Sequence, residues 1–168
     1  MELWDVLDRE RRLTNKTHVR GVPLRKGEYH LAVFVWVFDR QGRVLLTKRS
    51  PEKETFPNLW AITGGSVIAG ETSLHAIARE LREETGISAA EEEFTLVQQF
   101  LRRNCFCDVY FLRKTVPLEQ LVMQPGETCG ARWAGRKEFE YLASQGLIAS
   151  QDVRRYAQLE EKLKNYMK

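Results

Sequence analysis

The run EYHLAVFVWVFD, from Glu28 to Asp39, constrains the fold more than any other stretch of this chain. It is rich in aromatic and β-branched residues, which favour extended backbone. Side chains of a strand alternate between faces, so a run that is apolar almost throughout must be covered on both sides. The turn RQGR follows, and VLLTKRS reads as the return strand of a hairpin.

Around this hairpin the chain alternates short strands and turns. ELWDVLD and RRLTNKTHV read as two strands joined by a charged turn. PEKETFPNLW is a loop marked by Pro51 and Pro57, and WAIT leads out of it. FTLVQQFLRR and CFCDVYFLRK predict a second hairpin around Arg102 to Asn104, and CGARWAG a last strand. Helical patterns occupy about Thr72 to Thr85, closed by Gly86, and RKEFEYLASQG, closed by Gly146. A terminal helix over about 150–167 has Val153, Tyr156, Leu159 and Leu163 at helical spacing. Helices do not follow each strand, so the pattern predicts a mixed α/β sandwich rather than a βαβ array.

The 168 residues are enough for one domain with a sizeable core. With 43% hydrophobic and 29% charged residues the chain reads as globular. A net charge of +3, with both signs interleaved, gives no reason to expect nucleic acid as a partner. No apolar run of membrane length occurs, and the charged N-terminal segment lacks a signal-peptide pattern, so a cytoplasmic protein with no membrane partner is the expectation. Three cysteines, Cys105, Cys107 and Cys129, cannot form a complete disulfide framework, and their spacing does not suit zinc; buried structural thiols are expected.

One segment resists a purely structural account. GGSVIAGETSLHAIARELREETGI, residues 64–87, puts Glu80, Glu83 and Glu84 on a helix directly after a glycine-rich turn. At about 100° per residue, Leu74, Ile77, Ala78 and Leu81 share an apolar stripe and the three glutamates form an arc beside it, with Glu84 bordering the stripe. A solvated acidic face is the plain alternative. Like charges at helical spacing repel, however, and a hard divalent cation such as magnesium supplies the missing partner. Gly64 and Gly65 allow close backbone approach, and a free carbonyl there can join the coordination shell.

Gly65, Glu71, Arg79-Glu80-Leu81, Glu83-Glu84 and Gly86-Ile87, at these spacings, resemble the Nudix box at every fixed position, and the resemblance extends over residues 28–145. It implies an α/β/α sandwich around a mixed β-sheet, and a hydrolase that cleaves a diphosphate linkage in a small-molecule substrate with Mg2+ or Mn2+. By the family pattern Glu80 and Glu84 are the principal metal ligands, and Glu83 is a further ligand or base. The Gly65 carbonyl is another ligand, Arg79 orients a glutamate, and Glu71 ties the loop to the helix. Glu127 matches a place where the family often carries a functional glutamate, the alternative being an ordinary loop carboxylate.

The N-terminal half also resembles the isopentenyl-diphosphate isomerase branch of the same superfamily. That chemistry needs a cysteine and a histidine where this chain has Gly64 and Ser66, and glutamates on the strand NCFCDVYF, which has none. His30, left from that branch's metal histidines, is expected as a satisfied sheet histidine, and Asp108 is the only visible substitute acid. A Nudix fold kept only for binding is a third reading, against which the intact carboxylate set speaks. For substrate contacts the candidates are Arg49, whose guanidinium matches phosphate, and Arg20 and Trp60, with Phe56 and Phe100 beside them as pocket or packing residues. The terminal helix is expected to pack on its own domain, with a homodimer contact as the alternative.

Overall fold

A computed structural model describes residues 2–168. The apolar run forms strand β3 (His30–Phe38) at the centre of the main sheet. Along one edge it pairs in parallel with β8 (Cys105–Arg113), from His30 opposite Cys105 to Phe38 opposite Arg113. Strand β7 (Thr95–Arg102) extends that side as the antiparallel partner of β8, completing the second expected hairpin. The sheet is therefore mixed.

The other edge departs from the expected hairpin. Strand β4 (Val44–Arg49) meets β3 only at its turn end, Phe38 opposite Val44. From Ala32 to Val35 the edge of β3 is taken by β6 (Thr63–Ser66). Strand β4 diverges and pairs instead with β9 (Thr128–Ala134) and with the two-residue β5 (Trp60–Ala61). Neither β5 nor β6 was expected as a strand: two and four residues, two of them glycine, are too short to display a period. Strands β1 (Leu3–Leu7) and β2 (Leu13–Val19) form a separate antiparallel pair, joined to the sheet through a bridge between Leu7 and Tyr29.

The alternation of β3 explains its composition. Val33, Val35 and Val37 face helix α1 (Ser73–Thr85), packing with Ile77, Leu81, Tyr110 and Leu112. Trp36 and Phe38 face the other way, toward helices α2 (Arg136–Ser144) and α3 (Ser150–Leu163), with Phe111, Phe139, Leu159 and Leu163. Each fully buried aliphatic or aromatic side chain of these layers contributes about 1.5–3 kcal/mol. The arrangement is an α/β/α sandwich.

Helix α1 starts where its cap places it: the Thr72 hydroxyl accepts the His75 N–H at 3.1 Å. It ends at Gly86, left-handed with φ 75°, whose N–H donates to the Arg82 carbonyl. Its buried face centres on Ile77 and reaches Ala76 and Glu84, turned toward the glutamates relative to the predicted stripe; Leu74 and Ala78 are only half-buried. Helix α3 stops at Leu163, short of the expected 167. The chain then turns so that Met167 is buried and the Lys168 N–H reaches the Gly42 carbonyl. The apolar side of α3 packs on its own core. Among the described residues no helix is long and apolar enough to cross a membrane.

Candidate active site

Glu80, Glu83 and Glu84 of α1 face Gly64 and Gly65 of β6 across a cavity of about 220 Å³. The opposite wall is built from segments distant in sequence. Arg49 ends β4, Lys53 lies in the following loop, Gln124 and Glu127 precede β9, and Glu2 and Arg20 come from the N-terminal hairpin. Of the residues singled out from the sequence, Gly65, Arg79, Glu80, Glu83, Glu84, Glu127, Arg49 and Arg20 all line this cavity.

Trp60 does not. Its backbone pairs with Lys48 and with the segment between α2 and α3, so its ring packs with the core on the α2/α3 side, near Arg132. It lies across the sheet from α1, and a role in lining this cavity is corrected accordingly. Phe100 belongs to the same side, and Phe56 is also outside the lining.

Arg79 holds the acidic arc together. Its Nε and Nη2 donate to the two carboxylate oxygens of Glu71 at 2.8 and 3.0 Å, and Nη2 also reaches the Ser66 carbonyl. Its Nη1 donates to Glu80 at 2.9 Å and Glu83 at 3.0 Å. Glu71 accepts in addition from the Ile68 N–H, closing the loop onto the helix. The Glu71 hydrogen bonds raise the Arg79 pKa. Burial works to raise Glu71, but Arg79 and the Ile68 N–H outweigh it and hold that carboxyl below its usual range.

The other carboxylates behave differently. Glu84 is 7% exposed and has no ion-pair partner among the described residues. Burial, then the neighbouring Glu80, pushes its pKa up to about 8, with the Thr63 hydroxyl opposing. Burial raises Glu80 as well, against the pull of Arg79. A Cβ on Gly65 would overlap the Glu80 carboxylate, and one on Gly64 would overlap Phe34 and the Val33 carbonyl. Glycine at 65 is what lets a carboxylate lie against the backbone.

An all-oxygen donor set, a buried glutamate lacking a cation, and a backbone open to Glu80 together fit a hard divalent cation. Among the described residues no group of three His, Cys, Asp or Glu side chains is already gathered at ligating distance. Arg79 takes one oxygen each of Glu80 and Glu83, so Glu80 Oε2 and Glu83 Oε1 lie outside its hydrogen bonds.

Lys53, Gln124 and Glu2 were missed. Lys53 pairs with Glu127, and Glu2 accepts from Arg20 at 2.7 Å. Nothing in the local pattern around them signals this; only the path of the chain brings them here. His30 is not satisfied as expected. Trp4 stacks on it with centroids 4.2 Å apart, its Nδ1 has no partner among the described residues, and burial lowers its pKa to about 4. Asp108 is buried beneath the start of α1, accepting from Arg11, Ser73 and Gln99, and lies outside the cavity. Of the cysteines expected as buried thiols, Cys107 is buried, Cys105 partly so, and Cys129 is exposed.

A family model described as "NUDIX domain" matches residues 28–155, so the chain belongs to the Nudix hydrolases. It is 40% identical over 147 residues to the Nudix hydrolase lmo0368 of Listeria monocytogenes, covering 87% of each chain. The crystal structure of DR0079 from Deinococcus radiodurans superposes with a TM-score of 0.72 at 25% identity, covering 88% of this chain and 92% of that one. The N-terminal resemblance recurs as well. An isopentenyl-diphosphate Δ-isomerase of Mycolicibacterium vanbaalenii is 39% identical over 77 residues, covering 45% of this chain and 40% of that one.

Proposed function

We propose that this protein hydrolyses a diphosphate linkage in a nucleoside diphosphate derivative or similar small phosphorylated metabolite, using Mg2+ or Mn2+. The observation that carries the reading is one polar cavity in which Glu80, Glu83, Glu84 and Gly65 oppose Arg20, Arg49 and Lys53. Glu80 and Glu84, with Glu83 and the Gly65 carbonyl, would hold the divalent ion. When bound, it supplies charge neutralisation at the phosphates. Arg49 and Arg20 bind phosphate oxygens opposite the helix. Arg79 orients Glu80 and Glu83. Glu127 accepts a proton from the attacking water as its oxygen bonds to phosphorus; the phosphoanhydride bond breaks, and the second phosphate leaves with the electron pair. A cytoplasmic location fits the free thiols Cys105, Cys107 and Cys129.

The isomerase reading is disfavoured. Gly64 offers no side chain, and Asp108 is committed to three donors away from the cavity. The test is product release from a panel of nucleoside diphosphate derivatives with magnesium, together with isomerisation of isopentenyl diphosphate. Hydrolysis is expected, with no isomerisation. Glu80→Gln and Glu84→Gln should each lower turnover by roughly 10²–10³-fold, the scale of losing one charge-stabilising group. The double variant should lose far less than the product, because the two act as one unit. Wild-type rates in either single variant at saturating metal would refute these roles.

A further inference from the structure

Arg20, Arg49, Lys53 and Glu127 line not only the 220 Å³ cavity but a second one of about 500 Å³, so the two share a wall. The rest of the larger cavity comes from Glu52, Glu54, Thr55 and Gly126. Among the described residues that line either cavity there is no aromatic and no aliphatic side chain. Phe56 follows the lining residue Thr55 directly but lines neither cavity, and Trp60 lies on the other face of the sheet.

That absence selects the ligand. A nucleobase gains about 1–3 kcal/mol by stacking on an aromatic side chain. A prenyl chain gains about 25 cal/mol per Å² only against apolar surface. Neither surface occurs among the described lining residues. The three cations shared by both walls, by contrast, come from two segments, the N-terminal hairpin and the stretch from the end of β4 into its loop, and each is held in place by an oxygen. Glu2 holds Arg20 at 2.7 Å, Thr55 accepts Arg49 through its carbonyl at 2.9 Å and its hydroxyl at 3.3 Å, and Glu127 holds Lys53. The loop carrying Lys53 keeps Phe56 and Asn58 left-handed, φ 53° and 61°, a conformation that non-glycine residues adopt at a cost.

We infer, on the basis of the hydrolase reading above, that the group joined to the diphosphate is hydroxylated and non-aromatic, a sugar or polyol, and that an attached base goes unread. Lys53 is a diphosphate-binding residue of this wall. It exchanges Glu127 for a substrate phosphate oxygen, which frees the Glu127 carboxylate.

Two uncleavable probes decide this: α,β-methylene-ADP and the methylene-bridged analogue of ribose 5-diphosphate, in which the anomeric hydroxyl replaces adenine. Calorimetric titration with magnesium should give affinities equal within about twofold, whereas one stacked base would tighten binding at least about fivefold. Lys53→Met should weaken both probes about tenfold or more, the worth of a hydrogen bond to a charged group, with an unchanged melting temperature. Lys53→Arg should restore most of the affinity. Fivefold tighter binding of the adenine probe, failure of both probes to bind at millimolar concentration, or undiminished affinity in Lys53→Met would overturn the inference. Because the probes cannot turn over, an absence of hydrolysis on any natural diphosphate would remove the hydrolase reading and leave this one standing.

Discussion

A carboxyl group with no cation beside it and almost no water keeps its proton, and Glu84 is such a group. Its folded pKa of about 8 stands above the ordinary 4.5, so between those values the folded protein binds a proton that the unfolded chain has released. Stability from this group is full below about pH 4.5 and is lost as pH rises toward 8. Melting temperatures of the metal-free protein should therefore fall across pH 5.5 to 8 more steeply than those of Glu84→Gln. Equal slopes would refute the assignment. Magnesium should flatten the wild-type slope, because the ion takes the place of the proton. The box carboxylates, Arg79, Arg49, Arg20 and Glu127 were legible in the sequence because each is a charged side chain whose local setting specifies a use. Lys53 and Glu2 were not, because their use depends on chain segments that meet only in the fold.

At the scale of elements, helix α3 acts on the site from behind the sheet. Asp152 and Arg155 form a buried ion pair, and the Asp152 carboxylate accepts the Ile62 N–H at 3.2 Å. The Arg155 guanidinium lies 3.4 Å over the Phe34 ring, the ring against which Gly64 packs. The glycine strand is thus backed by a charge pair from a helix that contributes nothing to the cavity lining. Removing one partner leaves the other charge buried, so Asp152→Leu should cost about 3–5 kcal/mol in urea unfolding. Asp152→Leu with Arg155→Met should recover much of that loss. A single substitution within 1 kcal/mol of wild type would show that the pair carries no such burden. Helix α1 was readable to within about a residue because Thr72 and Gly86 mark its ends chemically. The divergence of β4 from β3 was not, since it is decided by β6 and β9, strands with no say in the local sequence of the hairpin.

For the molecule as a whole, ion binding and folding are linked. A cation that binds only the folded state at a hundred times its dissociation constant adds about 2.7 kcal/mol. For a chain of this size each kcal/mol corresponds to about 2–4 °C, so saturating magnesium should raise the melting temperature by roughly 5–10 °C. Thermal melts with and without magnesium measure it, and Glu80→Gln should abolish most of the shift. No shift in the wild type would remove the metal-site reading. The sandwich itself was readable from the two-sided burial that β3 demands, but the parallel partner of β3 was not, because any apolar strand could have taken that edge. That partner sets a tempo. Strands β3 and β8 lie about 75 residues apart in sequence, so the central ladder forms only after a long loop has closed, against an entropy that local contacts do not offset. Pairings of this kind fold slowly. During synthesis the parallel edge of β3 stays unpaired until residues 105–113 have left the ribosome. The acidic helix and the glycine strand lie inside that loop, so the carboxylates emerge before the strand that completes the sheet behind them.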